Sequence, residues 1–380
     1  MDYDVIVVGG GPAGASLARA CGGHSVALLA PARRVPKELQ QGVFDSRVYA
    51  LSPGNVSFLH QLGVWPALRQ ARLAPVRTMR IFGDDGASAI EFDAYRAGVP
   101  ELAWIVEDAA LQDALWQGLS AETGELEKIE FSGKFARVLL RDGRTLDGRL
   151  LVGADGANSL VRRAAGIAAV ERDYDQTAVV ANFACEHPHR DTAYQWFQGG
   201  PVLALLPLPA GQVSMVWSLQ TAEAERVLRL DPEALCREVE AASRNVLGRL
   251  TLSAAPRSYP LKRLAAGRLV APRAALVGDA GHVIHPLAGQ GLNLGLQDVR
   301  ELASMLERCD EGRDPGDLRT LRRYERARAE PILAMNIAVG GLFSLFGGSS
   351  KGMARMRNAG LNLTDRIPVL KNLLIRQAMG

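Results

Sequence analysis

A chain of 380 residues with 48% hydrophobic and 22% charged side chains holds enough apolar material for two domains, each with its own core. Its net charge of +3 argues against a nucleic-acid-binding protein. The four cysteines, Cys21, Cys185, Cys236 and Cys309, stand apart with no C-x-x-C pair, which excludes a disulfide framework or a zinc site and points to reduced thiols in the cytoplasm.

Asp4-Val5-Ile6-Val7-Val8 is a continuous apolar, β-branched run and predicts a buried parallel strand. It feeds directly into Gly9-Gly10-Gly11-Pro12-Ala13-Gly14, and Ala15 to Ala20 continue as a helix, so no signal peptide is expected. Strand, glycine turn and helix together are the context in which G-x-G-x-x-G binds a dinucleotide. Gly9 permits the turn, Gly11 leaves room for a pyrophosphate, and Gly14 lets helix and strand approach. The phosphates would meet free N–H groups at the helix start. The second strand, Ser25 to Leu29, is followed by Ala30-Pro31, where an acid would normally hold a ribose. Arg33 and Arg34 lie just beyond.

Arg47-Val48-Tyr49-Ala50-Leu51-Ser52 leads into a helical pattern over 53–68, with Phe58, Leu59, Leu62 and Val64 on its apolar side and Ser52 or Asn55 as its cap. Met79–Phe82 and Ala87–Phe92 predict a hairpin around Asp84-Asp85-Gly86. A strand at 104–106 precedes a helix over 108–119. Arg137–Leu140 and Arg144–Leu146 form a second hairpin, and Leu150-Leu151-Val152 a separate strand that ends in Asp155-Gly156 before a helix from Ser159. An acid in that place either faces a ligand or caps the helix. From 178 to 219 short strands separated by Pro and Gly predict an inserted, mainly antiparallel sheet. Its Trp196, Phe197, Met215 and Trp217 line a pocket or simply fill the core. A helix follows over 231–246.

Ala274–Val277 predicts another buried strand, ending in Gly278-Asp279. After His282 and His285, Gly289-Gln290-Gly291-Leu292-Asn293 opens a helix whose exposed N–H groups suit negative charge. The two histidines lack a third ligand, and no metal is expected. No apolar stretch reaches membrane-spanning length. The longest, Ile332 to Phe346, is broken by Asn336, Gly340 and Gly341.

In order and spacing, the glycine turn, Asp155-Gly156 and Gly278-Asp279 resemble the single-component FAD monooxygenases that hydroxylate aromatic rings, in their UbiH-like ubiquinone-biosynthesis branch. Arg47-Val48-Tyr49-Ala50-Leu51-Ser52 resembles that branch's Arg-x-x-Ala-Leu-Ser segment, and Ala280 to Gly295 its flavin loop. The tail from Gly360-Leu361 through Pro368-Val369-Leu370-Lys371 to Ala378-Met379-Gly380 also resembles it.

The resemblance implies an α/β fold: a Rossmann-like FAD domain over 1–75, 101–175 and 265–330, a substrate-binding sheet over 76–100 and 176–264, and a C-terminal helical tail over 331–380. It implies that Gly9, Gly11, Pro12, Ala13 and Gly14 bind the FAD pyrophosphate and Asp279 the ribityl chain. Gly289, Gly291, Leu292 and Asn293 would lie beside the flavin's pyrimidine edge. Asp155 and Gly156 would support FAD and NAD(P)H, and Arg47 would lie near the cofactor; the catalytic residues would be Pro286, bordering the oxygen site, and His285, as the candidate general base. The implied reaction uses NADPH or NADH and O2, through a C4a-hydroperoxyflavin, to hydroxylate a prenylated phenol.

Three departures stand out: Ala30 replaces an acid, Gly281 an alanine, and Glu107-Asp108 stand where the family often has Asn, Gln or Arg. Two other readings stay open: a flavin hydroxylase of a small soluble aromatic, and a redox-inactive scaffold subunit of a biosynthetic complex. The tail sets Lys351, Arg355, Arg357, Arg366, Lys371 and Arg376 among Leu, Ile and Met, against Asp365. Such a segment either docks on an anionic membrane or a partner, or packs on its own domain. The expected location is the cytoplasm, with the inner-membrane surface as the place of any peripheral contact.

Overall fold

The computed structural model describes residues 2–31, 42–83, 88–285, 290–309 and 314–346, with 338–346 given as backbone. Its organising element is a sheet with the strand order Val270–Ala271, Ala274–Leu276, Thr145–Gly153, Tyr3–Val8, Val26–Leu29. The last four of these pair in parallel, and Val8 lies level with Gly153 and Leu29, and Gly153 with Leu276. The carboxyl ends of these four strands therefore empty onto one edge, the place where open α/β sheets bind ligands.

Both faces are covered, which is why the first strand reads as unbroken apolar text. Val5 and Val7 pack with Leu17, Val299, Leu302 and Tyr324 on one side, and Ile6 and Val8 with Val138, Val161 and Leu276 on the other. The covering helices on the first side are Pro12–Ala20, Gly291–Glu307 and Leu318–Phe346.

Arg144–Leu146 and Leu150–Val152, expected as two strands, are one strand, Thr145–Gly153. The connecting residues stay extended because Asp147 pairs with Arg137 across the ladder at 2.6 Å, and because Gly148 has no side chain to strike Ile6.

The second sheet runs His282–Val283, Leu250–Ala266, Ala169–Cys185, Gln212–Gln220, Val202–Leu208, Thr192–Phe197, Thr78–Phe82, Ala89–Asp93. It is antiparallel except where Thr192–Phe197 meets Thr78–Phe82. The 17-residue strand Leu250–Ala266 was not predicted. It is mostly half-buried or exposed and carries Pro256, Pro260, Lys262 and Arg263, so no alternation announces it. Its pairing along Ala169–Cys185 holds it extended. Helix Thr221–Leu228 was also missed. The helix expected to 246 ends at Ala242, because Arg244 and Asn245 take positive φ. These two helices cover one face of the sheet and bury Val179, Ala181, Trp196, Met215 and Trp217. By alternation the opposite face carries Ala178, Val180, Ala204 and Val216.

A small third sheet, Val48–Leu51, Ala103–Glu107, Ala74–Val76, sits between the other two. The helix expected over 53–68 is Pro53–Gln61 followed by a short turn at Trp65–Ala67, and that expected over 108–119 is Asp108–Trp116.

Candidate cofactor-binding site

The glycine turn separates two kinds of glycine. A Cβ on Gly9, where φ is +112°, would lie 2.2 Å from the Ala154 carbonyl oxygen, and one on Gly14 would lie 1.9 Å from the Gly9 oxygen. Both are demanded by the protein's own packing. A Cβ on Gly11 would meet nothing within 4 Å. Gly11 caps helix Pro12–Ala20 without a side-chain bond. The Ala13 and Gly14 N–H groups therefore begin a helix with no acceptor inside it, and the positive end of its dipole faces the cleared space.

Gly10 is closed on its other side by Trp116, whose Nε1–H donates to the Gly10 oxygen at 3.0 Å. Ala30 is buried in the same contact. Arg33, Arg34, Pro286 and Gly289 lie outside the described residues.

Asp155 combines the two roles open to it. Its Oδ2 accepts from the Leu160 and Val161 N–H groups at 2.7 and 3.2 Å, capping helix Leu160–Ala164. Its Oδ1 is buried with no hydrogen-bond partner. Gly156 follows with φ +78° and open space where a side chain would be.

At the third strand end, Gly278 (φ +59°) passes close to Ala13 and Gly295, so both flanking helix starts converge on this turn. Asp279 faces solvent from a crowded recess. Desolvation there raises its carboxyl above the usual range, and the positive charges of His282 and Arg47 oppose the rise. Arg47 stacks on Tyr49 and Tyr259, 5.6 and 6.0 Å from their ring centres. Tyr259 pairs in register with Ala178, so the uncovered face of the large sheet is turned toward Arg47.

Helix Gly291–Glu307 points its N-terminus at the same edge, and a Cβ on Gly291 would meet nothing. Asn293 is buried and fully used by the protein. Its Oδ1 accepts from the Ser52 N–H and from Asn55 Nδ2, each at 2.9 Å, and its Nδ2 donates to Ala50 O at 2.8 Å. Any polar ligand contact from Asn293 falls to its backbone N–H. The expected cap residues Ser52 and Asn55 serve this junction rather than their own helix.

Both acids are engaged by groups of the protein itself. Glu107 forms a bidentate pair with Arg72, both bonds 2.7 Å, and accepts the Asp45 N–H at 2.5 Å. Asp108 accepts the Tyr49 hydroxyl at 2.8 Å.

His285 is buried against Tyr174, with Nε2 3.1 Å from Gln176 Oε1. Burial pushes its pKa down to about 4, so the ring is neutral at pH 7. Trp196, Met215 and Trp217 sit in the core under the helices, and Phe197 alternates to the other face.

The residues missed from sequence are Asp298, Arg328 and Tyr324, buried beneath the Asp279 turn. Asp298 stands three positions after Gly295 and seven after Gly291, the spacing of one helix face, and that was the available signal. Arg328 and Tyr324 had none.

The donor and space pattern fits a dinucleotide. Two helix starts present free N–H groups, Gly11 and Gly291 keep volume clear, Asp279 offers an accessible carboxylate, and Asp155 Oδ1 lacks a partner.

Comparison with known proteins agrees. The family model described as FAD binding domain matches residues 2–335. The chain is 33% identical to 3-demethoxyubiquinol 3-hydroxylase of Escherichia coli (strain K12), over 99% of this chain and 98% of that protein. It is 33% identical to ubiquinone hydroxylase UbiL of Rhodospirillum rubrum, over 99% of this chain and 89% of that one. Among solved structures, Klebsiella pneumoniae HpxO complexed with FAD and uric acid superposes with a TM-score of 0.77 at 19% identity, covering 98% of this chain and 97% of that one. The α/β fold expected from the sequence is therefore the fold observed.

Proposed function

The chain belongs to the FAD binding domain family, and from that membership we propose that it hydroxylates the aromatic ring of a prenylated phenol in ubiquinone biosynthesis, with NAD(P)H as reductant and O2 as oxygen source. It is an FAD-dependent monooxygenase. The observation that carries the reading is the convergence of two cleared glycines and one accessible carboxylate on a single sheet edge.

Bound there, FAD supplies the redox and oxygen-transfer chemistry. The chain's residues bind, orient and exclude water. Gly9, Gly11, Pro12, Ala13 and Gly14 cradle the pyrophosphate with helix-start amides. Asp279 accepts hydroxyl groups of the ribityl chain. The Gly291, Leu292 and Asn293 amides favour negative charge at the pyrimidine edge. Arg47, held between two tyrosines, closes the cofactor side toward the large sheet. Asp155 and Gly156 support the cofactor from the neighbouring strand end. His285, neutral and buried, shapes the site without exchanging protons at pH 7.

The substrate lies on the uncovered sheet face. Val180, Ala204 and Val216 offer an apolar floor there, and Leu206 and Leu208 are already covered by Phe44, Val76 and Ile105. In this reading residues 1–75, 101–175 and 265–330 form the FAD domain, 76–100 and 176–264 the substrate domain, and 331–380 the tail.

A prenylated phenol reaches the enzyme from a bilayer, and we propose peripheral contact with an anionic membrane. Helix Leu318–Phe346 exposes Leu333 and Ile337, and the basic tail follows it. Among the described residues no helix is long and apolar enough to cross a membrane.

The test is the visible spectrum of the purified protein after incubation with FAD and desalting, followed by turnover with prenylphenols. A retained flavin band near ~450 nm and a hydroxylated prenylphenol support the reading. A protein that takes up no flavin sinks it in favour of a scaffold subunit, and turnover confined to water-soluble phenols changes the substrate.

A further inference from the structure

Asp298 has no part in the roles above, yet it is completely buried beside the carboxylate that faces the ligand. Its Oδ2 accepts the Gly278 N–H at 2.9 Å and lies 2.6 Å from His282 Nε2. Its Oδ1 is held by Arg328 Nε at 2.7 Å. Gly278 and His282 bracket Asp279, Ala280 and Gly281. One carboxylate oxygen therefore grips both ends of the segment that presents Asp279.

The rest of the segment is tied as well. The Gly281 N–H donates to Gly278 O at 2.9 Å, and Arg162 donates to Ala280 O at 2.8 Å. Arg328 is itself anchored one turn beyond Tyr324, whose hydroxyl donates to Leu276 O at 2.7 Å. Signs of charge alternate outward from the core: Arg328, Asp298, His282, Asp279, Arg47.

A segment with two glycines in five residues has much conformational freedom to lose, and a carboxylate that must meet hydroxyl groups in a set direction would lose it at each binding event unless already pinned. We propose that Asp298 and His282 are positioning residues for Asp279: by holding both ends of its turn they present that carboxylate pre-oriented to a polyol segment of the ligand. The inference rests on the FAD reading of this edge.

Charge supports the geometry. Burial alone would strip His282 of its proton, but Asp298, with Asp279, holds the imidazole's pKa above its ordinary value. Burial would likewise protonate Asp298, but His282 and Arg328 hold it below the usual carboxylate range.

Asp298→Asn would leave the buried Arg328 charge without its partner, so the test uses His282. The measurement is the FAD dissociation constant of the full-length apoprotein, read from flavin fluorescence. His282→Leu removes the donor to Asp298 and is expected to weaken FAD binding about tenfold, whereas His282→Gln, which keeps a donor at the same reach, stays within about threefold. In an Asp279→Ala background His282→Leu is expected to add less than about twofold, because its effect runs through Asp279. Equal losses in both backgrounds overturn the proposal in favour of a purely structural role, as does an unchanged affinity in His282→Leu. If Asp279→Ala by itself leaves FAD affinity intact, the FAD reading of this edge fails instead, and the inference with it. Should His282→Leu not fold, His282→Asn, too short to reach Asp298, replaces it against His282→Gln with the same expected contrast.

Discussion

Single atoms divide the glycines of the first turn into two classes, and substitution separates them. Gly14→Ala forces a methyl against the Gly9 carbonyl and is expected to destabilise the fold by about 1–3 kcal/mol. Gly11→Ala meets no protein atom, so stability is expected to change by less than about 0.5 kcal/mol while FAD affinity falls about tenfold or more. Urea unfolding of the apoprotein and FAD titration read the two effects independently; an unaltered FAD affinity in Gly11→Ala would remove the cradle.

His285 offers a pH test at the same scale. The unfolded chain takes up a proton near the ordinary 6.5, but the buried native ring resists it down to about 4. Stability is therefore expected to fall as pH drops through that window, by about 3 kcal/mol in all. His285→Gln should flatten the profile between pH 6.5 and 4. A profile as steep as the parent's would show that the native ring protonates freely.

At the scale of elements, burial decided what the sequence left ambiguous. The acids at Glu107-Asp108 read as a departure from the family's Asn, Gln or Arg because their partners lie far away in sequence. Glu107 faces Arg72, 35 residues earlier, and serves to fasten the third sheet to the loop at Asp45. Glu107→Ala strands a largely buried guanidinium and is expected to cost about 3 kcal/mol in urea unfolding. Glu107→Gln, which retains one acceptor, should cost less; equal losses would mean that packing rather than the ion pair is what matters.

The parallel strands were legible because burial on both faces writes an unbroken apolar run. The strand Leu250–Ala266 was not, since it is held by main-chain pairing that leaves no mark on side-chain pattern. The break expected between Leu146 and Leu150 disappeared for a different reason: a cross-strand ion pair and one glycine kept the chain extended.

For the whole molecule, a ligand seated across three strand ends and two helix starts binds only the assembled fold. FAD at about a hundred times its dissociation constant should stabilise the protein by about 2.7 kcal/mol, which for a chain of this size raises the melting temperature by about 2–4 °C. Thermal melting with and without FAD checks this, and FMN, which lacks the adenosine half, should shift it less. The tail has its own test. Full-length protein is expected to float with anionic liposomes and a chain ending at Gly348 to float poorly; equal flotation of the two removes the tail from membrane contact.

Local sequence by itself determined the strand–turn–helix unit, the order of the three turns at the strand ends and, through their resemblance, the family. Each of those depends on residues close together in the chain: a glycine that only one backbone shape accepts, or an apolar run that only burial on both faces explains. Tertiary structure alone decided which of those residues stay open toward the sheet edge and which are used up by the protein. Asn293 went to Ser52 and Asn55, Glu107 to Arg72, and the turn at Asp279 came under the control of Asp298 and Arg328. Such partnerships join residues up to 241 apart, where no periodicity carries a signal. They arise because a buried polar group must find a partner wherever the fold brings one.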